Sequence, residues 1–252
     1  GSITGAGTLE LSDMTIGDLR VTSALATTLT NVTSVGTLTN EGTATASSSM
    51  LGTVVNTSGT LTLNAVAASG SVSANGGTVE VVAGTGNAFS SGATVASGAT
   101  LSVTSAADAT SGTALSVTGA LTNGGTLELT SQAAVGSSLT VSGGTLTHSA
   151  GGTLSVLVGA GGARTLQADT VTNAGSMSVA TQLTTSTADA VWTNSGTLTV
   201  TDSWTATDLD GFTNTGSLDL SAGSASLAFG VNATTGFDNG AEGTVSINGP
   251  TE

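Results

Sequence analysis

Apolar and polar residues alternate in short bursts along the whole chain, and the bursts resemble one another. One unit, a Gly, then Thr or Ser, an aliphatic residue, a polar residue and usually a second aliphatic, opens as Gly7-Thr-Leu-Glu-Leu11. It returns from Gly36, Gly59, Gly77, Ala99, Gly125, Gly152, Gly175, Gly196, Gly216 and Gly243, at steps of 18 to 29 residues. Thr-Leu-x-Leu has period two, so each unit predicts a short strand with one apolar and one polar face. Leu9, Leu38, Leu61, Val79, Leu101, Leu127, Leu154, Met177, Leu198, Leu218 and Val245 are expected to form one inward column.

Two further columns run in phase with the first. Four residues before the Gly stands Ile3, Val32, Val55, Val95, Leu121, Val171, Trp192 or Phe212; two before it stands Asn75, Asn123, Asn173, Asn194 or Asn214. The Asn-x-Gly step supplies residues that tolerate positive φ, where a chain turns a corner. A strand this short cannot bury its face alone. Stacking the same strand from successive turns buries a continuous core and pairs the backbone between turns. Ser138-Leu-Thr-Val141 and Ala114-Leu-Ser-Val117 read as additional strands of the same turns. The expectation is an all-β, right-handed parallel β-helix of about eleven coils, each of roughly 20–24 residues. Residues 1–252 would form one solenoid domain, a rod roughly 50 Å long at about 4.8 Å per coil.

Composition narrows the function. The chain has 50 Thr, 37 Gly, no Cys, and a net charge of −14 with only two Lys or Arg, both arginine. Two cationic side chains cannot neutralise a row of phosphates, which argues against nucleic acid as a partner. Anionic membranes would repel the chain, and no run of 18 apolar residues is present to insert into one. Without Cys there is neither a disulfide nor a thiolate metal site. The chain begins at Gly1 without a basic and apolar leader, so a signal peptide, if there was one, is already removed.

Coils such as Leu121-Thr-Asn-Gly-Gly-Thr-Leu-Glu-Leu129 and Trp192-Thr-Asn-Ser-Gly-Thr-Leu-Thr-Val200 resemble those of bacterial autotransporter passengers and of filamentous-haemagglutinin-type adhesins. The resemblance covers essentially the whole chain. It implies a right-handed parallel β-helix, export to the bacterial cell surface, and adhesion or matrix building. The trimeric-autotransporter head repeat and the calcium-binding nonapeptide are both missing.

Candidate chemistry is sparse. Asp202, Asp208 and Asp210 around Trp204 form the densest acidic group. They are the candidate calcium loop or sugar subsite, against solvated turn carboxylates. Some β-helices cleave polysaccharides, but with no Lys and both arginines far from this group, that chemistry lacks a basic partner. No catalytic residue and no cofactor other than calcium is indicated. His148, the only histidine, falls in the apolar column, where a packed ring is the plainer reading than a lone base. Asn31-Val-Thr33, Asn56-Thr-Ser58 and Asn232-Ala-Thr234 match the glycosylation sequon, which a chain rich in Asn and Thr meets by chance. A flat Thr array for ice is disfavoured, because Glu10, Glu80, Glu128 and Asp219 interrupt the outward slot after each inward Leu.

Two functions remain in view: a secreted structural protein that joins copies of itself end to end, and a monomeric adhesin that holds a surface glycan. No cap is visible at either end of the repeat, and open solenoid ends expose strand edges that favour association. The negative charge is expected to oppose side-by-side contact. Pro250, just past the last strand, argues for a stop to the ladder.

Overall fold

A computed structural model describes residues 2–3, 6–34, 36–220, 223–230, 233–234 and 236–247. The side chain of Ile3 and all of Asn232 and Pro250 lie outside the described residues. Every described helix or strand element is a strand, and every strand pairing is parallel. Alternation sets the faces: in Thr126–Leu129, Leu127 and Leu129 are buried while Thr126 and Glu128 are half-buried.

The strands stack as three ladders. The first is a sheet of twelve strands, from Gly7–Ser12 and Leu25–Thr30, through Thr60–Asn64 and Thr126–Leu129, to Ser217–Asp219 and Thr244–Ser246. A nineteen-stranded sheet wraps the other two sides. Its second ladder climbs through Leu19–Val21, Thr37–Asn40, Thr53–Asn56 and Leu121–Asn123. Its third climbs through Met50–Leu51, Ala67–Ala68, Asn87–Phe89 and Thr113–Thr118. From Ser137–His148 to Ser203–Asn214 one long strand per turn serves both sides, bending in the first of them where the register shifts between Val141 and Thr145; above them Ser224–Phe229 and Gly236–Asn239 are separate strands. Ala114–Val117 and Ser138–Val141 pair in register in the third ladder, as their pattern predicts. The whole is a β-solenoid of about eleven turns.

The register corrects the first column. It reads Leu9, Thr27, Ala44, Leu61, Val79, Leu101, Leu127, Leu154, Met177, Leu198, Leu218 and Val245. Leu38 is buried but sits in the second ladder, between Leu19 and Val54. Period-two alternation looks the same on every side of a solenoid, so the Gly36 unit imitated a first-ladder strand. The strands that belong there depart from Thr-Leu-x-Leu: Leu25–Thr30 puts Thr27 inward between Leu25 and Leu29, and Thr43–Ser47 puts Ala44 and Ala46 inward.

The apolar column before the Gly is also only partly right. Leu121, Leu146, Val171, Trp192, Phe212 and Phe237 do share one column. Val55 instead points outward beside inward Val54, and Val95 falls in the neighbouring column opposite Asn123. The cause is the corner between second and first ladders. Asn123 precedes the first-ladder Thr126 by three residues, Asn56 precedes Thr60 by four, and Val95 precedes Thr100 by five. Counting back from the Gly therefore slips by one or two positions.

The turns differ in length along the stack. Thr43, Thr60 and Thr78 are successive partners, so those turns take 17 or 18 residues; Thr78, Thr100, Thr126 and Thr153 are separated by 22 to 27. Small residues fill the narrow part, Ala44, Ala46, Ala68 and Ala74 all being buried. Aromatic rings fill the core of the last turns: Trp192 stacks on Phe212 at 6.5 Å, Phe212 on Phe237 at 5.6 Å, and Trp204 meets Trp192 at 5.1 Å. A close-packed interior matches the size of its side chains to the space each turn encloses.

Candidate functional site

The most developed polar constellation lies inside the fold, at the corner between the second and first ladders. Asn40, Asn56, Ala74, Val95, Asn123, His148, Asn173, Asn194, Asn214 and Asn239 stand in register on successive rungs. Asn173 donates its Nδ2–H to Oδ1 of Asn194, Asn194 to Asn214, and Asn214 to Asn239, each at 2.7 Å. Asn40 donates likewise to Asn56 at 2.7 Å. Each amide also reaches a corner carbonyl of the next turn, as Asn194 reaches Ser217 at 3.0 Å. Such ladders satisfy buried amides while fixing the register of the turns. Asn123, Asn173, Asn194 and Asn214 are where the repeat placed them. Asn75 is not: Ala74 holds that slot and Asn75 is exposed.

The corner glycines are required for space rather than for φ. Gly125, Gly175, Gly196 and Gly216 do not adopt positive φ, although Gly59 and Gly77 of the narrower turns do. A Cβ on Gly216 would fall within 3.0 Å of the Gly196 carbonyl, and one on Gly196 within 3.0 Å of the Gly175 carbonyl. The backbone of each turn rests on the glycine of the next.

His148 belongs to the Asn column, not to the apolar one, where Leu146 stands. It is 1% exposed and bonded on both ring nitrogens, so it is a structural rung rather than a base open to substrate. Arg164 is fully buried, on the inward side of the third ladder between Ser137 and Leu183. Its guanidinium donates to the carbonyls of Val158, Gly161 and Gly162 at 2.6–2.8 Å, pinning the loop that precedes it. Burial pushes its pKa below the ordinary arginine value. A count of charges does not tell this buried arginine from an exposed one; the only available signal was a lone Arg at the start of an alternating segment. The other cation, Arg20, pairs with Glu41 at 2.7 Å on the surface.

The three Asp of the calcium candidate do not converge. Asp202 is exposed in a turn, Asp208 is exposed at φ +60, and Asp210 bonds the backbone and hydroxyl of Thr234. Among the described residues no three His, Asp or Glu side chains gather as a metal site. Of the sequons, Asn56 is fully buried in the ladder and Asn31 occupies an exposed turn at φ +54.

The outward faces differ in charge. In the first ladder the outward slot reads Glu10, Thr28, Thr45, Thr62, Glu80, Ser102, Glu128, Ser155, Ser178, Thr199, Asp219 and Ser246. In the second ladder it reads Arg20, Thr39, Val55, Ser73, Thr94, Thr122, Thr147, Thr172, Thr193, Thr213 and Asp238, charged at its two ends and uncharged from Thr39 to Thr213. The longest connections gather elsewhere. Residues 104–112, 130–136 and 157–163 leave three successive first-ladder strands at the same corner. A groove of about 360 Å³ beside them is lined by Thr85, Gly112, Ser137, Ser138 and Thr165 among others, none of them titratable.

The architecture defines a parallel β-solenoid with an internal Asn ladder. No protein-family model, curated protein or solved structure matches the chain.

Proposed function

We propose that this chain is an extracellular structural or adhesive solenoid of a bacterial surface, of the kind found in autotransporter and haemagglutinin-type passengers, that associates with further copies of itself. The observation that carries this reading is the parallel ladder of twelve strands, whose upper turns are tied together by amide bonds from Asn173 to Asn239. A rod of stacked turns gives length and stiffness, and repetition gives extended flat sides. On the uppermost described rung Phe237 and Val245 are partly exposed and Ile247 is 71% exposed. A further rung, from the same polypeptide or from another copy, would cover them and continue the ladder. The uncharged middle of the second-ladder column, Thr39 to Thr213, also bears on the expected repulsion: two rods meeting there keep Glu10, Glu80, Glu128 and Asp219 of the first ladder apart.

A glycan-binding adhesin is the second reading. The three stacked connections support it, because binding residues concentrate on loops set on a rigid scaffold, and Leu157 and Val158 are exposed there.

Sedimentation velocity over a range of concentrations, with electron microscopy of the same samples, separates the two. Self-association predicts concentration-dependent growth and elongated particles. A monomer at every concentration would remove that reading and leave the adhesin, which glycan-array binding lost on shortening residues 157–163 would then support.

A further inference from the structure

The Asn ladder has one rung that titrates. Asn123 is locked in orientation: its Oδ1 accepts from the Gly125 N–H at 3.1 Å and its Nδ2 donates to the Thr153 carbonyl at 3.0 Å. The same Nδ2 lies 2.9 Å from Nδ1 of His148. An amide nitrogen only donates, so Nδ1 must accept, and the ring proton sits on Nε2, which donates to the Ser176 carbonyl at 3.0 Å. Flipping the Asn123 amide gives no relief. It would face Oδ1 to the Thr153 carbonyl and deprive the Gly125 N–H of its acceptor.

The surroundings leave the ring no room and no counter-charge. Asn123 faces it from the strand below and Asn173 from the strand above. Across the corner stand Gly152 and Gly175, where an added Cβ would lie 2.9 and 2.7 Å from ring atoms. None of these groups ionises. Oδ1 of Asn173 is left without a donor, because the histidine spends its single N–H on Ser176.

We propose that His148 is an acid-sensitive rung: a proton added at Nδ1 sets two donors against each other at Asn123 and opens the corner at Ser149–Gly152. The bonds at stake are Ser149 N–H to the Asn123 carbonyl, Ala174 N–H to the His148 carbonyl and Ser176 N–H to the Gly152 carbonyl. Opening there divides the stack in two and bares a strand edge on each part, which favours pairing with another chain. Burial lowers the pKa of His148 below its ordinary value. The opened form therefore takes up a proton at higher pH than the closed form. The closed corner is at full strength above the ordinary value and weakens as pH falls from there toward the folded-state value.

Hydrogen exchange of the full chain, corrected for intrinsic rates from about pH 8 to about pH 5, tests this. Opening at the amides of Ser149, Ala174 and Ser176 should rise about tenfold per pH unit below about pH 6.5, then level off. His148→Asn supplies two N–H donors, matches the other rungs and should show no such slope. Nitrogen NMR of the wild-type ring should report the Nε2–H tautomer at neutral pH. An Nδ1–H tautomer, a wild type with flat exchange, or the same slope in the H148N variant would overturn the proposal.

Discussion

The carbonyl oxygen of Gly196 lies where a Cβ on Gly216 would have to be, and the Ser195 backbone closes the same space. Gly216→Ala must therefore push two turns apart, at a cost of about 1–3 kcal/mol. Gly17 has nothing within 4 Å of its Cβ position and no positive φ. Gly17→Ala should be neutral or stabilise by about 0.4–1 kcal/mol. Thermal melts of the two variants decide whether crowding, rather than the mere presence of glycine, governs the corner.

Leu127 is fully buried in the first ladder between Leu101 and Leu154. Leu127→Ala should destabilise by about 2–5 kcal/mol. A denaturation midpoint unchanged by this substitution would mean that the column is not packed as described.

Thr27 offers the opposite sign. It is 3% exposed in that column, between Leu9 and Ala44, and its Oγ1 has no hydrogen-bond partner. Thr27→Val keeps the shape and removes a desolvated hydroxyl, so it should stabilise by about 1 kcal/mol. A lower melting temperature for T27V would show that the hydroxyl is satisfied.

Trypsin has two sites in this chain, Arg20 and Arg164. Arg164 is buried within Arg164–Asn173 and holds the carbonyls of residues 158–162, so native protein should resist cutting there until its turn unfolds. Arg164→Met leaves those carbonyls to find water and should cost about 1–3 kcal/mol. The same variant should make 157–163 more susceptible to a protease of broad specificity, read by mass spectrometry of the fragments.

The alternation of Thr-Leu-x-Leu by itself determined that the chain is all-β, that it repeats, and that Leu61 to Val245 share a column, because period two leaves one way to bury a half-apolar strand. It also placed Asn123, Asn173, Asn194 and Asn214 together, since their corners have equal length. Which side of the solenoid a given strand joins was not legible. Leu38 and Leu61 have the same local pattern, and only pairing with Leu19 and Val54 assigns Leu38 to the second ladder. Corner length is likewise invisible in a local pattern, so Asn75 and Ala74 exchanged places. Tertiary structure alone decided that His148 completes an amide ladder, that Arg164 turns inward to hold a loop, and that Asp202, Asp208 and Asp210 stay apart. Each of these depends on what the turns above and below present, and residues about 20 positions away in sequence become neighbours only when the coils stack.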